Sequence, residues 1–301
     1  MGPTSASATA GCWAARRSRS MPFSRKDLPP QAPLVDAHVH LRDRKGINDL
    51  ASAGIAAARD AGTRENAGQD QLRRQRGPGD PILVWSGWAL CKPGGYGSRI
   101  GLPVDGVDAI RREVRRLKAA GADIIKVIAS GIVSLKHPGV ITAGGFTGNE
   151  LTLIVGEAAE QGLGVMAHAN GEDAILACVH AGVRSLEHGF FMTRQAADVM
   201  ADRGTFWVPT VGALARAAQA EGVSQEAKDF VSHRVKEQVA MIGYARSIGV
   251  PLAVGTDCVL PDQNYAAAYD AELEYYAQAE LSGDAVRDIA CQGGAKLLGL
   301  V

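Results

Sequence analysis

Two histidines one residue apart, His38 and His40, lie in the apolar run Val35-Asp36-Ala37-His38-Val39-His40-Leu41. In a β-strand, residues i and i+2 point to the same face, so both imidazoles aim at one place. Two converging imidazoles make half of a zinc-type site, which needs further nitrogen or oxygen ligands to be complete. The pair alone is weak evidence, and the weight falls on what later segments supply. Lys126 sits inside Asp123-Ile124-Ile125-Lys126-Val127-Ile128, an apolar run in which a free ammonium is costly to bury. It must be paired, neutralised or chemically altered. His168 in Val165-Met166-Ala167-His168-Ala169, His188 in Leu186-Glu187-His188-Gly189 and Asp257 in Val254-Gly255-Thr256-Asp257 each close another apolar run. Asp257 also suits a helix cap, and His168 and His188 could be satisfied core histidines. Glu187 is weighed as an outer support and set aside, while His180 and His233 fall on predicted helices and read as structural or exposed.

The elements that must position these residues follow a strand-then-helix rhythm. Strands are predicted at Leu34–His40, Ile55–Arg59, Ile82–Trp85, Asp123–Ala129, Leu163–Ala167, Val183–Glu187, Thr205–Pro209 and Val250–Gly255. Helices are predicted at Asn48–Ala53, Glu65–Arg76, Val107–Ala120, Glu150–Gln161, Glu172–Ala181, Gln195–Arg203, Ala227–Ile248, Tyr265–Leu281 and Asp284–Leu298, several closed by the glycine that ends helices. Short apolar strands alternating with helices argue for parallel pairing, and eight such units match the size of one (β/α)8 TIM barrel. An open doubly wound sheet is the competing arrangement, but the first strand is not followed by G-x-G-x-x-G. In a barrel the C-terminal strand ends ring one mouth, so His38, His40, Lys126, His168, His188 and Asp257 would meet there. Two long loops leave the same face. Cys91–Pro103 offers Tyr96 and Arg99, and Ser130–Asn149 offers Lys136 and His137, as groups that could touch a substrate.

Composition narrows the partners. Lys+Arg and Asp+Glu balance at 32 each, so no global field favours nucleic acid or an anionic membrane. Five scattered cysteines without C-x-x-C do not form a disulfide framework, and a cytoplasmic setting is expected. No apolar run is long enough to span a bilayer. A small-molecule substrate is the expected partner, with homo-oligomerisation left open. Residues 1–33, with Arg16, Arg17 and Arg19 but no apolar stretch after them, read as a disordered leader or a misassigned start with Met21 as the true one. Residues 34–301 form the barrel domain.

This set of residues resembles the metal-dependent amidohydrolase superfamily: H-x-H on strand one, lysine on strand four, histidines on strands five and six, aspartate on strand eight. Gly121-Ala122-Asp123-Ile124-Ile125-Lys126-Val127, Ala167-His168-Ala169-Asn170-Gly171, Ser185-Leu186-Glu187-His188-Gly189, Val208-Pro209-Thr210 and Gly294-Ala295-Lys296-Leu297-Leu298-Gly299-Leu300 resemble its imidazolonepropionase-like and prolidase-like branch. The resemblance implies two divalent metal ions, zinc first, with manganese, cobalt or iron as options. His38, His40 and Asp257 would hold one, His168 and His188 the other. Lys126, carboxylated by carbon dioxide, would bridge them as a carbamate. It further implies hydrolysis of a C–N amide bond by a metal-bridging hydroxide, with Asp257 as general base and then acid. The substrate would be an N-acyl amino acid, a dipeptide or a cyclic amide. Two alternatives stand beside this. One is a mononuclear deaminase or imidazolone hydrolase, in which His38, His40, His168 and Asp257 hold one metal and His188 assists the carbonyl; Lys126 argues against it, because a single-metal site has no use for a bridge. The other is a non-catalytic barrel. Relatives of this branch usually add a β-sandwich, which is not expected here, and often carry histidine where Asn170 stands.

Overall fold

The computed structural model describes residues 22–62, 72–73, 75–261 and 263–301. Among the described residues, ten short strands appear in chain order: β1 (Leu34–Leu41), β2 (Ile55–Asp60), β3 (Ile82–Trp85), β4 (Leu90–Cys91), β5 (Leu102–Pro103), β6 (Ile124–Ile128), β7 (Gly164–Ala169), β8 (Ser185–His188), β9 (Phe206–Val208) and β10 (Cys258–Leu260). They pair as two ladders, β10-β1-β2-β3 and β5-β4-β6-β7-β8-β9, with each pairing parallel. Single backbone bonds continue the ring where the ladders stop. Asp123 N donates to Trp85 O at 2.8 Å between β3 and β6. On the other side, Trp207 N donates to Pro251 O at 2.9 Å, and Ala37 N donates to Val254 O at 2.7 Å. Residues 251–257 therefore run between β9 and β1 as the eighth stave of an α/β barrel.

That stave is predicted as a regular strand, Val250–Gly255, and is instead extended without a ladder. Pro251 has no N–H to donate, and Asp257 turns the chain into the left-handed region at φ 52°. Regular pairing resumes only at β10. Gly255 is required by proximity: a Cβ there would lie 2.4 Å from Val208 Cγ1 and 2.9 Å from His38 Cβ.

The strands β1, β6, β7 and β8 are buried on both faces or nearly so, because helices cover the outside. β6 is buried throughout. The covering helices are α1 (Arg44–Ser52), α2 (Val107–Ala119), α3 (Gly148–Glu160), α4 (Glu172–Ala181), α5 (Arg194–Arg203), α6 (Val211–Ala217), α7 (Gln225–Ser247), α8 (Tyr265–Gln278), α9 (Gly283–Asp288) and α10 (Gly294–Leu298). On α2, Ile110, Val114 and Leu117 fall on one face at helical spacing and are buried. Each such side chain contributes roughly 1.5–3 kcal/mol. α3 begins with a capping box, Thr147 with Glu150.

The sequence-predicted last helix is α9 and α10 joined by a π-helical turn, Ile289–Gly293. α6, the two-residue strands β4 and β5, and the 3-10 turn Tyr96–Arg99 are not anticipated by the sequence pattern. The predicted helix Glu65–Arg76 falls largely outside the described residues, as do residues 1–21 of the expected leader. Phe23, Arg25 and Leu28, within the predicted leader, are packed against the barrel. Arg25 pairs with Asp270 of α8 at 2.8 Å and donates to the Ala53 carbonyl at 2.7 Å. Among the described residues, no helix is long and apolar enough to cross a membrane.

Candidate metal centre

His38 and His40 emerge side by side at the end of β1, as strand alternation requires. Asp257 meets them from the end of the eighth stave. Its Oδ1 lies 3.4 Å from His38 Nε2 and 3.1 Å from His40 Nε2. One potential ligand atom from each of these three residues lies within 4.8 Å of the other two, close enough to hold one cation. His168 from β7 and His188 from β8 stand beside them: the ring centroids of His168 and His188 are 4.5 Å apart, and those of His38 and His188 5.1 Å. Lys126 of β6 completes the wall. All six line one cavity of about 590 Å³.

The protein occupies one nitrogen on each imidazole. His38 Nδ1 lies 2.7 Å from Glu187 Oε2, and His40 Nδ1 bonds the Gly62 carbonyl. His168 Nε2 bonds the Gly131 carbonyl at 3.0 Å, and His188 Nδ1 bonds Thr210 Oγ1 at 2.7 Å. Each ring is thereby oriented; the opposite nitrogen of His40 meets Asp257 Oδ1 at 3.1 Å, a contact a cation would replace, and on the other three rings the opposite nitrogen is the one left for a cation. Glu187, set aside in the sequence analysis, is central to this arrangement. Its other oxygen accepts from Arg59 Nη2 at 2.8 Å and from Ser185 Oγ at 2.5 Å. Arg59 of β2 is fully buried and also donates to the Ala37 carbonyl at 2.7 Å. Asp36 ties β1 to the eighth stave, accepting from His38 N, Thr256 N and Thr256 Oγ1. Sequence reasoning missed Arg59, Thr210 and Asp36. An arginine inside the small-residue strand Ile55–Asp60 was the available signal for the first.

The electrostatics suit cation binding. Burial, then the charge of Lys126, pushes His38 and His168 down to about 4, and His188 falls well below its ordinary value. These three are neutral at pH 7, the ligating form. Burial also opposes charge on His40, but the hydrogen bond and charge of Asp257 outweigh it and raise that group. Burial would raise Asp257, yet His38, the His40 hydrogen bond and His188 hold it well below the carboxylate range. Glu187 is likewise drawn down against its burial, by Arg59 and His38, to about 2. Lys126 is 4% exposed, its Nζ has no hydrogen-bond partner, and burial pushes it down to about 8. An orphaned amine beside imidazole and carboxylate ligands fits a group that acquires a bond when the site is loaded.

Backbone strain concentrates here as well. Among the described residues, five that are not glycine have positive φ, and His188, Thr210 and Asp257 belong to this site. Such conformations cost about 1–3 kcal/mol each and persist where surrounding structure imposes them.

Of the four suggested substrate contacts, Tyr96 lines the cavity, its ring centroid 5.5 Å from that of His168. The Arg99 side chain lies outside the described residues. Lys136 and His137 are exposed and do not line the cavity; their loop turns Ile132, Val133 and Leu135 inward instead.

Residues 32–301 match the family described as "Amidohydrolase family". The ochratoxinase of Aspergillus niger is 30% identical over 233 residues, 74% of this chain and 48% of that protein, so the chain spans about half of that relative's length. A solved structure of A. niger ochratoxinase superposes with a TM-score of 0.75 at 24% identity, covering 89% of this chain and 71% of that one. A prolidase solved with N-methylphosphonate-L-proline superposes with a TM-score of 0.71 at 26% identity, covering 90% and 75%. A Xaa-Pro dipeptidase with methionine bound in its active site gives 0.74 at 22% identity, covering 89% and 75%.

Proposed function

The chain belongs to the amidohydrolase family, and from that premise we propose that it is a two-metal hydrolase cleaving C–N amide bonds in N-acyl amino acids, dipeptides or cyclic amides. The observation that carries this is the buried Lys126 amine, without a partner, in one cavity with four histidines and Asp257. His38, His40 and Asp257 would hold one cation, His168 and His188 a second, zinc being the first choice for such ligands. When bound, divalent cations make water acidic and polarise a carbonyl.

The chain's own groups supply the rest. Burial lowers the Lys126 pKa to about 8, which raises the fraction of unprotonated amine at neutral pH. That nitrogen can add to carbon dioxide, releasing a proton and leaving an anionic carbamate able to face both cations. Glu187, held by Arg59, fixes the ring of His38, while Thr210 and the Gly131 carbonyl fix His188 and His168. Asp257 Oδ1 stands against His38 and His40, where it can take a proton from attacking water and return it to the leaving nitrogen. The A. niger ochratoxinase and the solved prolidase, by their names, act on substrates of the amide or dipeptide kind, which supports the same bond class here.

The test is metal counting with carbon-13-labelled bicarbonate. Two cations per chain and a labelled carbamate resonance are expected in the wild type. Lys126→Ala should lose the resonance and retain at most one tightly bound cation. A wild type that holds one cation, shows no carbamate and still turns over substrate would favour the mononuclear mechanism.

A further inference from the structure

The cavity that holds the candidate ligands has two unlike kinds of lining. Beyond the imidazoles, much of its lining is hydrocarbon: Val133 and Leu135 from the loop after β6, Phe190 from the turn after β8, Leu214 and Ala217 from α6. Val133, Phe190 and Leu214 are only 6–7% exposed, because they pack with Ala218 and Val231 into a small cluster separate from the main core. This surface is therefore preformed rather than assembled by a ligand. Among the described lining residues, Arg42 is the one charged group beyond Lys126 and Asp257. The volume, about 590 Å³, leaves room for much more than an acetyl group.

We propose that this surface selects the substrate: the amide cleaved carries, on one flank of its C–N bond, an uncharged apolar group of benzoyl or leucyl size, with Leu214 and Val133 setting the size limit. The inference rests on the hydrolase reading above and narrows it. Each methylene moved from water onto this wall favours the complex roughly fourfold. A carboxylate or ammonium lodged among Val133, Phe190 and Leu214 would be desolvated against hydrocarbon, and none of those three side chains can pair with it.

Two substrate series, assayed with the zinc-loaded full chain, test this. One varies the acyl group on glycine: acetyl, butyryl, hexanoyl, benzoyl and succinyl. The other varies the amino acid of N-acetyl derivatives: glycine, valine, leucine, phenylalanine and aspartate. In at least one series, kcat/KM should climb about fourfold per methylene, and the acidic members should be poorest in both. Ala217→Trp should lower the ratio of the largest to the smallest apolar member of that series at least tenfold, and Leu214→Ala should shift the optimum to larger groups. Flat series, or a preference for the succinyl or aspartyl member, would overturn the proposal. If no member is cleaved, the hydrolase reading fails for N-acyl amino acids, and calorimetry on metal-free protein still decides the wall. Tighter binding of benzoylglycine than acetylglycine upholds it, and equal binding sinks it.

Discussion

Replacing Lys126 by methionine should stabilise the metal-free protein. Methionine matches the length of the lysine stem and has no ammonium to desolvate. Lys126 is 4% exposed, its Nζ lacks a partner, and its pKa falls from 10.5 to about 8. A shift of that size corresponds to about 3 kcal/mol against the protonated folded state, with little solvent screening to discount at such burial. The sign follows from the direction. Below about pH 8 both folded and unfolded chains carry the proton, so the whole penalty is present. Between pH 8 and 10.5 the folded chain releases it first, and the penalty fades. Urea unfolding of chelator-treated protein in carbon dioxide-free buffer would measure this at pH 7 and pH 10. The Lys126→Met variant should be more stable by about 3 kcal/mol at pH 7, a midpoint shift of roughly 5 °C on heating. The gap should narrow at pH 10. A variant less stable than wild type at pH 7, or a gap indifferent to pH, would refute the account of Lys126 as an unpaired buried amine. Under bicarbonate and zinc the order should invert, since only the lysine can form the carbamate.

Three further outcomes are expected. Asp257→Asn should retain a cation, measured by metal analysis, while kcat falls at least 10²-fold, in line with loss of a general acid–base group. Glu187→Gln should weaken zinc affinity about 10–100-fold, read by competition with a chromophoric chelator, because His38 loses its orienting carboxylate. The same change strips the buried Arg59 of its charge partner, and unfolding should show a loss of about 3–5 kcal/mol. Gly255→Ala should lower both stability and metal content, since its Cβ would meet Val208 and the His38 Cβ; unchanged metal stoichiometry would show that the eighth stave can retreat without moving His38.

Much of the site was legible because strand chemistry is local. The alternation of β1 puts His38 and His40 on one side whatever surrounds them. A lysine inside Ile124-Ile125-Lys126-Val127-Ile128 is anomalous on composition alone. The parallel barrel follows from the repeating strand-and-helix period, and with it the convergence of strand ends. Other features depend on partners far along the chain. Glu187 looks like any polar residue beside a histidine until Arg59 of β2 and His38 of β1 close on it from more than a hundred residues away. Lys136 and His137 have the right chemistry in a suitable loop, yet the loop folds so that its apolar residues face the cavity. The short helix α6 carries Leu214 to the mouth and has no period long enough to announce itself.

What the sequence by itself determined is the set of candidate ligands and the fold that gathers them, because both arise from residue type and spacing within single strands and helices. What only the tertiary structure decided is which nitrogen of each histidine stays available, which carboxylate orients His38, and which wall a substrate would meet. Those depend on contacts between segments distant in the chain, whose distances exist only once the barrel has closed.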